Sequence, residues 1–261
     1  MRTRDGSAGD ADYGRIGAGY RTYRQPEPEF QAAIDAALGT ARSVLNVGAG
    51  AGSYEPRTRE VTAVEPSASM RAQRPAGLPP AIDATAEDLP FADDSFDAAM
   101  ATFTVHQWSN LETGLAELRR VSRGPVVILT CDPALVIRFW LHEYAPAVLD
   151  TEARRFPSMD RIAAGLGGLV TWTTLPVPFH CVDGFCEAYY GRPEMLLEPG
   201  ARLANSAWSF VDEGAADDYV AALRGALADG SWDRAHGHLR RQPHFEGSLV
   251  LVVAQPSATG R

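Results

Sequence analysis

Residues 44–52 read Val-Leu-Asn-Val-Gly-Ala-Gly-Ala-Gly, a short apolar run followed by three alternating glycines. The apolar run is rich in β-branched and aliphatic side chains, which is typical of a buried parallel strand. Because glycine has no Cβ atom, the backbone after this strand can turn tightly and approach a ligand closely. The segment therefore predicts a strand that ends in a ligand-binding turn.

A second apolar run, Val61 to Val64, ends in the acidic residue Glu65. A carboxylate at the end of such a strand can accept two hydrogen bonds from the hydroxyls of a ribose. Each charge-assisted hydrogen bond of this kind is worth about 1.5–3 kcal/mol. Together with the glycine turn, Glu65 predicts a site for a ligand that contains adenosine. The alternative is that Glu65 is a surface acid at a strand end.

Strands and crossovers alternate along residues 43–130. The clearest crossover helix is Leu111 to Val121, whose apolar residues recur at helical spacing. This alternation predicts an α/β fold with a doubly wound, mostly parallel sheet. The predicted strands lie at about residues 43–47, 61–65, 81–84, 97–102 and 125–130.

The rest of the chain has weaker patterns. Helical spacing begins at residue 12 and is broken at Pro26 and Pro28. Asp132 followed by Pro133 is typical of a helix start, although Asp132 could also face a cleft. Beyond it we predict a helical, aromatic-rich stretch at 132–149, a strand at 169–177, helices at 185–197 and 217–227, and a final strand at 248–254.

Charge and composition exclude several classes of function. The net charge of −9 disfavours a nucleic-acid backbone as partner. No apolar run reaches the roughly 20 residues needed to cross a bilayer, and the charged first ten residues are unlike a signal peptide. We therefore expect a cytoplasmic protein whose cysteines, Cys131, Cys181 and Cys186, are free thiols. No histidine or cysteine spacing indicates a metal site.

The spacing of the glycines distinguishes between cofactor classes. Gly48, Gly50 and Gly52 form G-x-G-x-G, and position 53 is serine. The dinucleotide fingerprint G-x-G-x-x-G therefore fails, which disfavours a nicotinamide oxidoreductase. No G-x-x-x-x-G-K-[ST] sequence occurs, which argues against a P-loop nucleotidase. The glycine run alone leaves an ordinary strand-to-helix turn as the alternative.

Three further segments carry a family resemblance. Residues 84–97 read Ala-Thr-Ala-Glu-Asp-Leu-Pro-Phe-Ala-Asp-Asp-Ser-Phe-Asp. With the glycine turn and Glu65, this stretch resembles the class I S-adenosylmethionine-dependent methyltransferases of the type 11 group. Residues 20–26, Tyr-Arg-Thr-Tyr-Arg-Gln-Pro, and 105–108, Val-His-Gln-Trp, also resemble segments of that group.

The resemblance implies a single domain over residues 1–261 with a Rossmann-like fold. Its seven-stranded, mostly parallel sheet would carry helices on both faces and helical lid segments. The cofactor-binding core would be residues 41–130, between an N-terminal lid at 1–40 and a substrate-side lid at 131–245. Residues 246–261 would supply the last, antiparallel strand and a tail.

The resemblance also implies where S-adenosylmethionine binds. It implies S-adenosylhomocysteine as the product. The glycine turn would contact its methionine part, Glu65 would hold the ribose, and Thr102 and Phe103 would lie beside the sulfonium. The implied binding residues are Tyr20, Arg24, Gly48, Ala49, Gly50, Gly52, Glu65, Pro66, Met70, Thr85, Ala86, Glu87, Thr102 and Phe103. Two positions depart from the family pattern, since Asn46 and Thr85 stand where acids are common.

Residues after the fourth predicted strand are candidates for the chemistry. His106 is the candidate general base, because ligands bind outside strand ends and histidine titrates near neutral pH. Its alternative is a structural, hydrogen-bonded histidine. Aromatic side chains can wall an apolar pocket, so Trp108, Trp140 and Tyr189 are candidate substrate contacts. Their alternative is ordinary lid core.

These observations predict an enzyme that transfers a methyl group to O, N or C of a small organic molecule. The main alternative is a protein that binds S-adenosylmethionine without transferase activity, for a rearrangement or for regulation. Neither a nucleic acid nor a membrane is expected as partner, and the oligomeric state stays open.

Overall fold

The computed structural model describes residues 19–257 of the 261-residue chain, so the predicted lid and helix before residue 19 lie outside the described residues. The strands are β1 Ser43–Val47, β2 Glu60–Val64, β3 Ala98–Thr102, β4 Val126–Cys131, β5 Leu169–Thr174, β6 Val177–Pro178, β7 His244–Phe245 and β8 Leu249–Gln255. The α-helices are α1 Tyr20–Tyr23, α2 Pro28–Ala37, α3 Ala68–Ala72, α4 Leu111–Val121, α5 Pro133–Val136, α6 Pro146–Arg155, α7 Met159–Leu166, α8 Pro199–Leu203, α9 Glu213–Ala228 and α10 Ser231–His236. The 3₁₀ helices are Val105–Gln107, Trp140–Glu143, Cys186–Tyr189, Pro193–Leu197, Ser206–Phe210 and Gly237–Arg241.

The main sheet has the order β2-β1-β3-β4-β8-β5. Neighbours from β2 to β4 pair in parallel, whereas β8 pairs antiparallel with both β4 and β5. This topology confirms the predicted α/β fold with a mostly parallel sheet and an antiparallel last strand.

The predicted third strand, at 81–84, is wrong within the described residues, where the main sheet has six strands instead of the predicted seven. Only Ile82 pairs there, through one parallel bridge to Val64. The amide of Ile82 donates to Ala63 O and its carbonyl accepts from Glu65 N. Because Pro79 and Pro80 just before it have no N–H to donate, the pairing does not extend toward the N-terminus.

Both faces of the sheet are covered. Alternate residues of β1, β3, β4 and β8 enter two separate core clusters, one with α4 and α7 and the other with α2 and the lid segments. All six residues of β4 are buried, as expected of a central strand. Asn110 begins α4 by accepting a hydrogen bond from Thr113 N, and Asp132 begins α5 by accepting one from Ala134 N.

The lid segments are less helical than the sequence predicts. Residues 185–197 form two 3₁₀ helices, because Gly191 packs against the backbone of Leu239 and Pro193 has no N–H for a continuous helix. The aromatic stretch 132–149 is likewise divided among α5, a 3₁₀ helix and the start of α6. The predicted helix at 217–227 lies within α9, and the predicted strand at 169–177 is β5. No helix within residues 19–257 is long and apolar enough to cross a membrane.

Candidate functional site

A cleft of about 880 Å³, including its open mouth, lies at the carboxyl ends of β1, β2 and β3; we call it the main cleft. Of the predicted cofactor residues it is lined by Tyr20, Arg24, Gly48, Ala49, Gly50, Glu65, Pro66, Met70, Ala86, Glu87, Thr102 and Phe103. The remaining lining residues are Ala51, Ser53, Tyr54, Thr104, Gln107, Trp108 and Asp183.

Two predicted cofactor residues do not line the main cleft. Gly52 is needed for the turn itself, since its φ is 93° and a Cβ atom there would lie 2.2 Å from Leu78 Cδ1. Thr85 turns its carbonyl to Asp88 N and contributes nothing to the lining. The sequence pattern identified the loop correctly but could not distinguish residues that shape it from residues that face the cleft.

Gly48 lets β3 and the turn approach closely. Its φ is 69°, and a Cβ atom there would lie 2.1 Å from Thr104 Oγ1. Gly50 also has a positive φ, of 51°, and its missing Cβ faces Met70 Cε at 3.3 Å. The turn therefore exposes backbone atoms to the main cleft that side chains would otherwise cover.

Glu65 is held by two backbone amides at the floor of the main cleft. Gly50 N donates to Oε2 and Ser67 N donates to Oε1, both at 2.8 Å. Glu65 is 7% exposed, so it is not the surface acid of the alternative interpretation. Because each carboxylate oxygen has two lone pairs, both can still accept a bond from a diol. A carboxylate acceptor fixed in this way fits the two hydroxyl donors of the ribose of an adenosine ligand.

Asp183 connects the N-terminal segment to the lid beside the main cleft. Arg24 Nε donates to Asp183 Oδ1, and Tyr54 Oη donates to Asp183 Oδ2 at 2.6 Å. Burial lowers the pKa of Arg24, and the nearby Asp183 carboxylate raises it. The net effect is a pKa of Arg24 well above its usual range. Burial, and then Asp183, raises the pKa of Tyr54, which therefore remains a donor. Sequence reasoning missed Asp183, because no local pattern links it to Arg24 in the distant N-terminal segment.

Phe103 separates the main cleft from a second cavity. It follows β3 with a φ of 51°, a conformation that costs about 1–3 kcal/mol for a non-glycine residue and is typical of functional sites. Its ring lies 4.9 Å from the guanidinium carbon of Arg24 and 5.6 Å from the ring of Phe185.

The second cavity, which we call the side cavity, has about 520 Å³. It shares Tyr20, Arg24 and Phe103 with the main cleft. Its other walls are His106, Cys131, Glu152, Arg155, Phe156, Phe185, Ala204, Asn205, Ser206 and Ala207. Apolar rings with a few ionisable groups are typical of a small-molecule site.

His106 lies on the wall of the side cavity, where a base for a bound acceptor would have to be. Burial, then Arg155 and Arg24, holds its pKa well below the usual range, so the imidazole is neutral. Gln107 Nε2 lies 2.9 Å from His106 Nε2, and Nδ1 is buried without a partner among the described residues. Its role as a base stays a prediction.

The three predicted aromatic substrate contacts do not line the side cavity. Trp108 lines the main cleft instead. Trp140 is core, with its indole Nε1 donating to Tyr190 O at 2.9 Å. Tyr189 is buried against the guanidinium of Arg192, which lies 5.6 Å from its ring. Trp140 and Tyr189 line neither the main cleft nor the side cavity, and their role as substrate contacts stays a prediction.

Asn46 belongs to a buried network beneath the main cleft. Its Nδ2 donates to Glu55 Oε1 at 3.2 Å, and Glu55 accepts two bonds from Arg74, at 2.8 and 2.9 Å. Because Glu55 already supplies the buried negative charge, an acid at position 46 would face another carboxylate. This contact accounts for the departure from the family pattern at position 46.

We expect Asn46→Asp to lower the free energy of unfolding at pH 8. This stability should be regained as the pH falls. The repulsion from Glu55 would raise the folded-state pKa of the new carboxyl, so stability is lost as the pH rises above its unfolded pKa. Urea unfolding at pH 5 and pH 8 measures the effect, with Asp35→Asn, which lies on α2 outside the network, as control. Equal destabilisation at both pH values would contradict the explanation.

Residues 45–128 match the family model described as "Methyltransferase domain". The fold is similar to that of a putative methyltransferase from an antibiotic biosynthesis pathway of Anabaena variabilis ATCC 29413, with a TM-score of 0.83 and 26% identity over 89% of this chain and 99% of that one. Among curated proteins, no sequence is significantly similar to this chain.

Two other solved structures share the fold alone. One is a possible histamine N-methyltransferase of Thermotoga maritima, with a TM-score of 0.53 and 17% identity over 93% of each chain. The other is phosphoethanolamine N-methyltransferase 2 of Haemonchus contortus, solved with S-adenosylhomocysteine and phosphomonomethylethanolamine. Its TM-score is 0.51 with 15% identity, over 92% of this chain and 56% of that one.

The family match covers the strands whose ends form the main cleft, and the fold of the Anabaena protein extends over nearly the whole described chain. Glu65, fixed by two backbone amides, and the glycine turn lie at the carboxyl ends of these strands. Residues 45–128 are therefore a methyltransferase domain, and the chain has the fold of the class I S-adenosylmethionine-dependent methyltransferases.

Proposed function

We propose that this enzyme methylates a small organic molecule bound in the side cavity. The observation that carries this proposal is the wall of Tyr20, Arg24 and Phe103, which the main cleft and the side cavity share. A cofactor in one and an acceptor in the other would meet at this wall. When bound, S-adenosylmethionine supplies an electrophilic methyl group for in-line displacement by O, N or C of the acceptor.

We assign the main cleft to the cofactor, residue by residue. Glu65 would accept both ribose hydroxyls, since backbone amides already fix its two oxygens. The backbone of Gly48 and Gly50 would contact the methionine part, because neither residue has a Cβ atom in the way. Met70 closes the cleft beside Gly50 and would contact the adenine. Ala86 and Glu87 would border the adenine edge.

The side cavity supports a small acceptor. Its walls come from the segment after β3, from β4 and α6, and from the lids, so an acceptor would be enclosed on several sides. Holding the acceptor in near-attack geometry can supply up to about 7–11 kcal/mol in ideal intramolecular systems. The net charge of −9 argues against a nucleic acid as acceptor.

The domain division and the location stay proposals. We divide the single domain into the core at 41–130 and the lids around it, which is supported by the bridge between Arg24 and Asp183 that joins both lids. A cytoplasmic location is supported by the free, buried thiols of Cys131, Cys181 and Cys186.

Calorimetric titration tests the cofactor assignment. We expect Glu65→Ala to weaken S-adenosylhomocysteine binding at least about tenfold, or about 1.4 kcal/mol, because both ribose bonds would be lost. Glu65→Gln keeps the size of the side chain and one acceptor oxygen. Its affinity for S-adenosylhomocysteine should fall between those of the intact protein and Glu65→Ala. Glu60→Ala, at the exposed start of β2, is the matched control and should bind normally.

Formation of S-adenosylhomocysteine during incubation with a small-molecule panel tests the transfer itself. A protein that only binds the cofactor would form none. If neither S-adenosylmethionine nor S-adenosylhomocysteine binds to the intact protein, the assignment of the main cleft is wrong.

A further inference from the structure

Glu152 is a carboxylate on the wall of the side cavity that neither the sequence patterns nor the cofactor assignment uses. It lies on α6, and its side chain lines the side cavity together with His106, Arg155 and Phe156. It also lines a smaller cavity beyond, with Cys131, Cys186 and Glu187. Glu152 is half-buried and is accessible to a molecule in the side cavity.

Burial and the groups around Glu152 together set its pKa close to neutral pH. The thiol of Cys186 is its hydrogen-bond partner, and Arg155 and Arg24 act on it as nearby charges. Burial raises the pKa of Glu152 to about 7, against the opposing effect of the two arginines. The titratable and charged groups that line the same two cavities are Arg155 on α6, Tyr20 on α1, Arg24 after α1, His106 after β3, Cys131 in β4, and Cys186 and Glu187 in the lid.

The other two candidates for a proton acceptor are already engaged. Glu187 accepts from Ser248 N with both oxygens, at 3.0 and 2.9 Å, and does not line the side cavity. With the Gln107 amide as placed, His106 Nε2 accepts from Gln107, so its lone pair is used. Among these groups, Glu152 has a carboxylate open to the side cavity.

The charges and rings of the side cavity favour one class of acceptor. Arg155 places a guanidinium beside Glu152 on the wall of the side cavity, which disfavours an ammonium group and stabilises a developing phenolate, whereas the charge of Arg24 is paired with Asp183. Phe103, Phe156 and Phe185 provide aromatic surface for a flat ring.

We propose that Glu152 accepts the proton of a monocyclic phenol bound in the side cavity, an inference that rests on the proposed methyl transfer. The phenol oxygen loses its proton to a carboxylate oxygen of Glu152 and forms the new bond to the methyl carbon. The electron pair of the broken sulfur–carbon bond stays on sulfur. Glu152 becomes a neutral carboxylic acid and then returns the proton to solvent.

Infrared titration of the protein without cofactor or acceptor tests Glu152 directly. We expect a carboxyl band that titrates near pH 7 in the intact protein and is lost in Glu152→Gln, which keeps the separate band of Glu187, whose pKa burial raises to about 8. Asp150→Asn, an exposed acid on the same helix, should retain the band and is the control. If the two variants and the intact protein give the same titration, Glu152 is not the poised group and the proposal fails.

Steady-state kinetics with a panel of monocyclic phenols, anilines and benzylamines tests the reaction. We expect turnover of phenols, with kcat/KM rising through about pH 7 because the carboxylate is the active form. Glu152→Gln should lose about 100-fold in rate together with this pH limb, whereas Glu152→Asp, which keeps a carboxylate, should restore part of both.

The outcomes separate this inference from the proposed function. If phenols are methylated and Glu152→Gln keeps the rate and the pH limb, Glu152 is not the proton acceptor but the methyl transfer stands. If only the anilines or benzylamines are turned over, or no phenol is, the acceptor class is wrong. Loss of S-adenosylhomocysteine binding in the intact protein would instead overturn the function on which the inference rests.

Discussion

Asp183→Ala is expected to lower the free energy of unfolding by about 3–5 kcal/mol, the cost of breaking a buried ion pair from one side. Asp183 is 2% exposed and accepts from both Arg24 and Tyr54. Without it, the guanidinium of Arg24 would remain buried, and among residues 19–257 its one remaining hydrogen bond would be the long, 3.4 Å bond to Ala204 O. The hydroxyl of Tyr54 would also lose its acceptor.

Urea unfolding followed by circular dichroism measures this loss. Asp183→Asn keeps an acceptor oxygen but removes the charge, so we expect an intermediate loss. Asp218→Ala, an exposed acid on α9, is the matched control and should change stability by less than about 0.5 kcal/mol. A loss below about 1 kcal/mol for Asp183→Ala would mean that Arg24 reaches solvent when its partner is removed.

Gly48→Ala is expected to destabilise the protein and to weaken cofactor binding through two separate effects. The positive φ of 69° costs an alanine about 1–2 kcal/mol. The added Cβ would also lie 2.7 Å from Thr104 Cβ, and overpacking of this kind costs about 1–3 kcal/mol more. Because Thr104 lines the main cleft, its displacement would change the cleft itself.

Gly39 provides a control that isolates the backbone effect. Its φ is 57°, but a Cβ atom there would meet nothing within 4 Å. We therefore expect Gly39→Ala to lower the free energy of unfolding only by the conformational cost of its positive φ. Calorimetry should show that it binds S-adenosylhomocysteine normally. Thr104→Gly in the Gly48→Ala background should recover part of the lost stability. Equal losses for the two glycine variants would show that the overlap with Thr104 is relieved without cost.

The features that the sequence predicts well are those determined by neighbouring residues. The glycine turn, the acid after β2 and the apolar stripe of α4 each depend on a few consecutive positions, and the structure places all three as predicted. The fold class follows from the same local patterns, because alternating strands and helices leave few ways to cover a sheet.

Features that depend on distant contacts were not predictable from the same patterns. Asp183 meets Arg24 across 159 residues of sequence, and Trp140 meets Tyr190 across 50. A lone acid and an aromatic side chain have no local signature for the partner they will find. The single paired residue at Ile82 lies between these two cases. The prolines that precede it are visible in the sequence, but the number of paired residues depends on the neighbouring strand.

The wall of Tyr20, Arg24 and Phe103 makes the two cavities thermodynamically dependent on each other. A ligand that shifts this wall from one side alters the surface presented to the other. By linkage, the factor by which the first ligand changes the affinity for the second must equal the factor in the reverse direction. An inhibitor directed at either cavity would therefore have a potency that depends on the concentration of the other cavity's natural ligand.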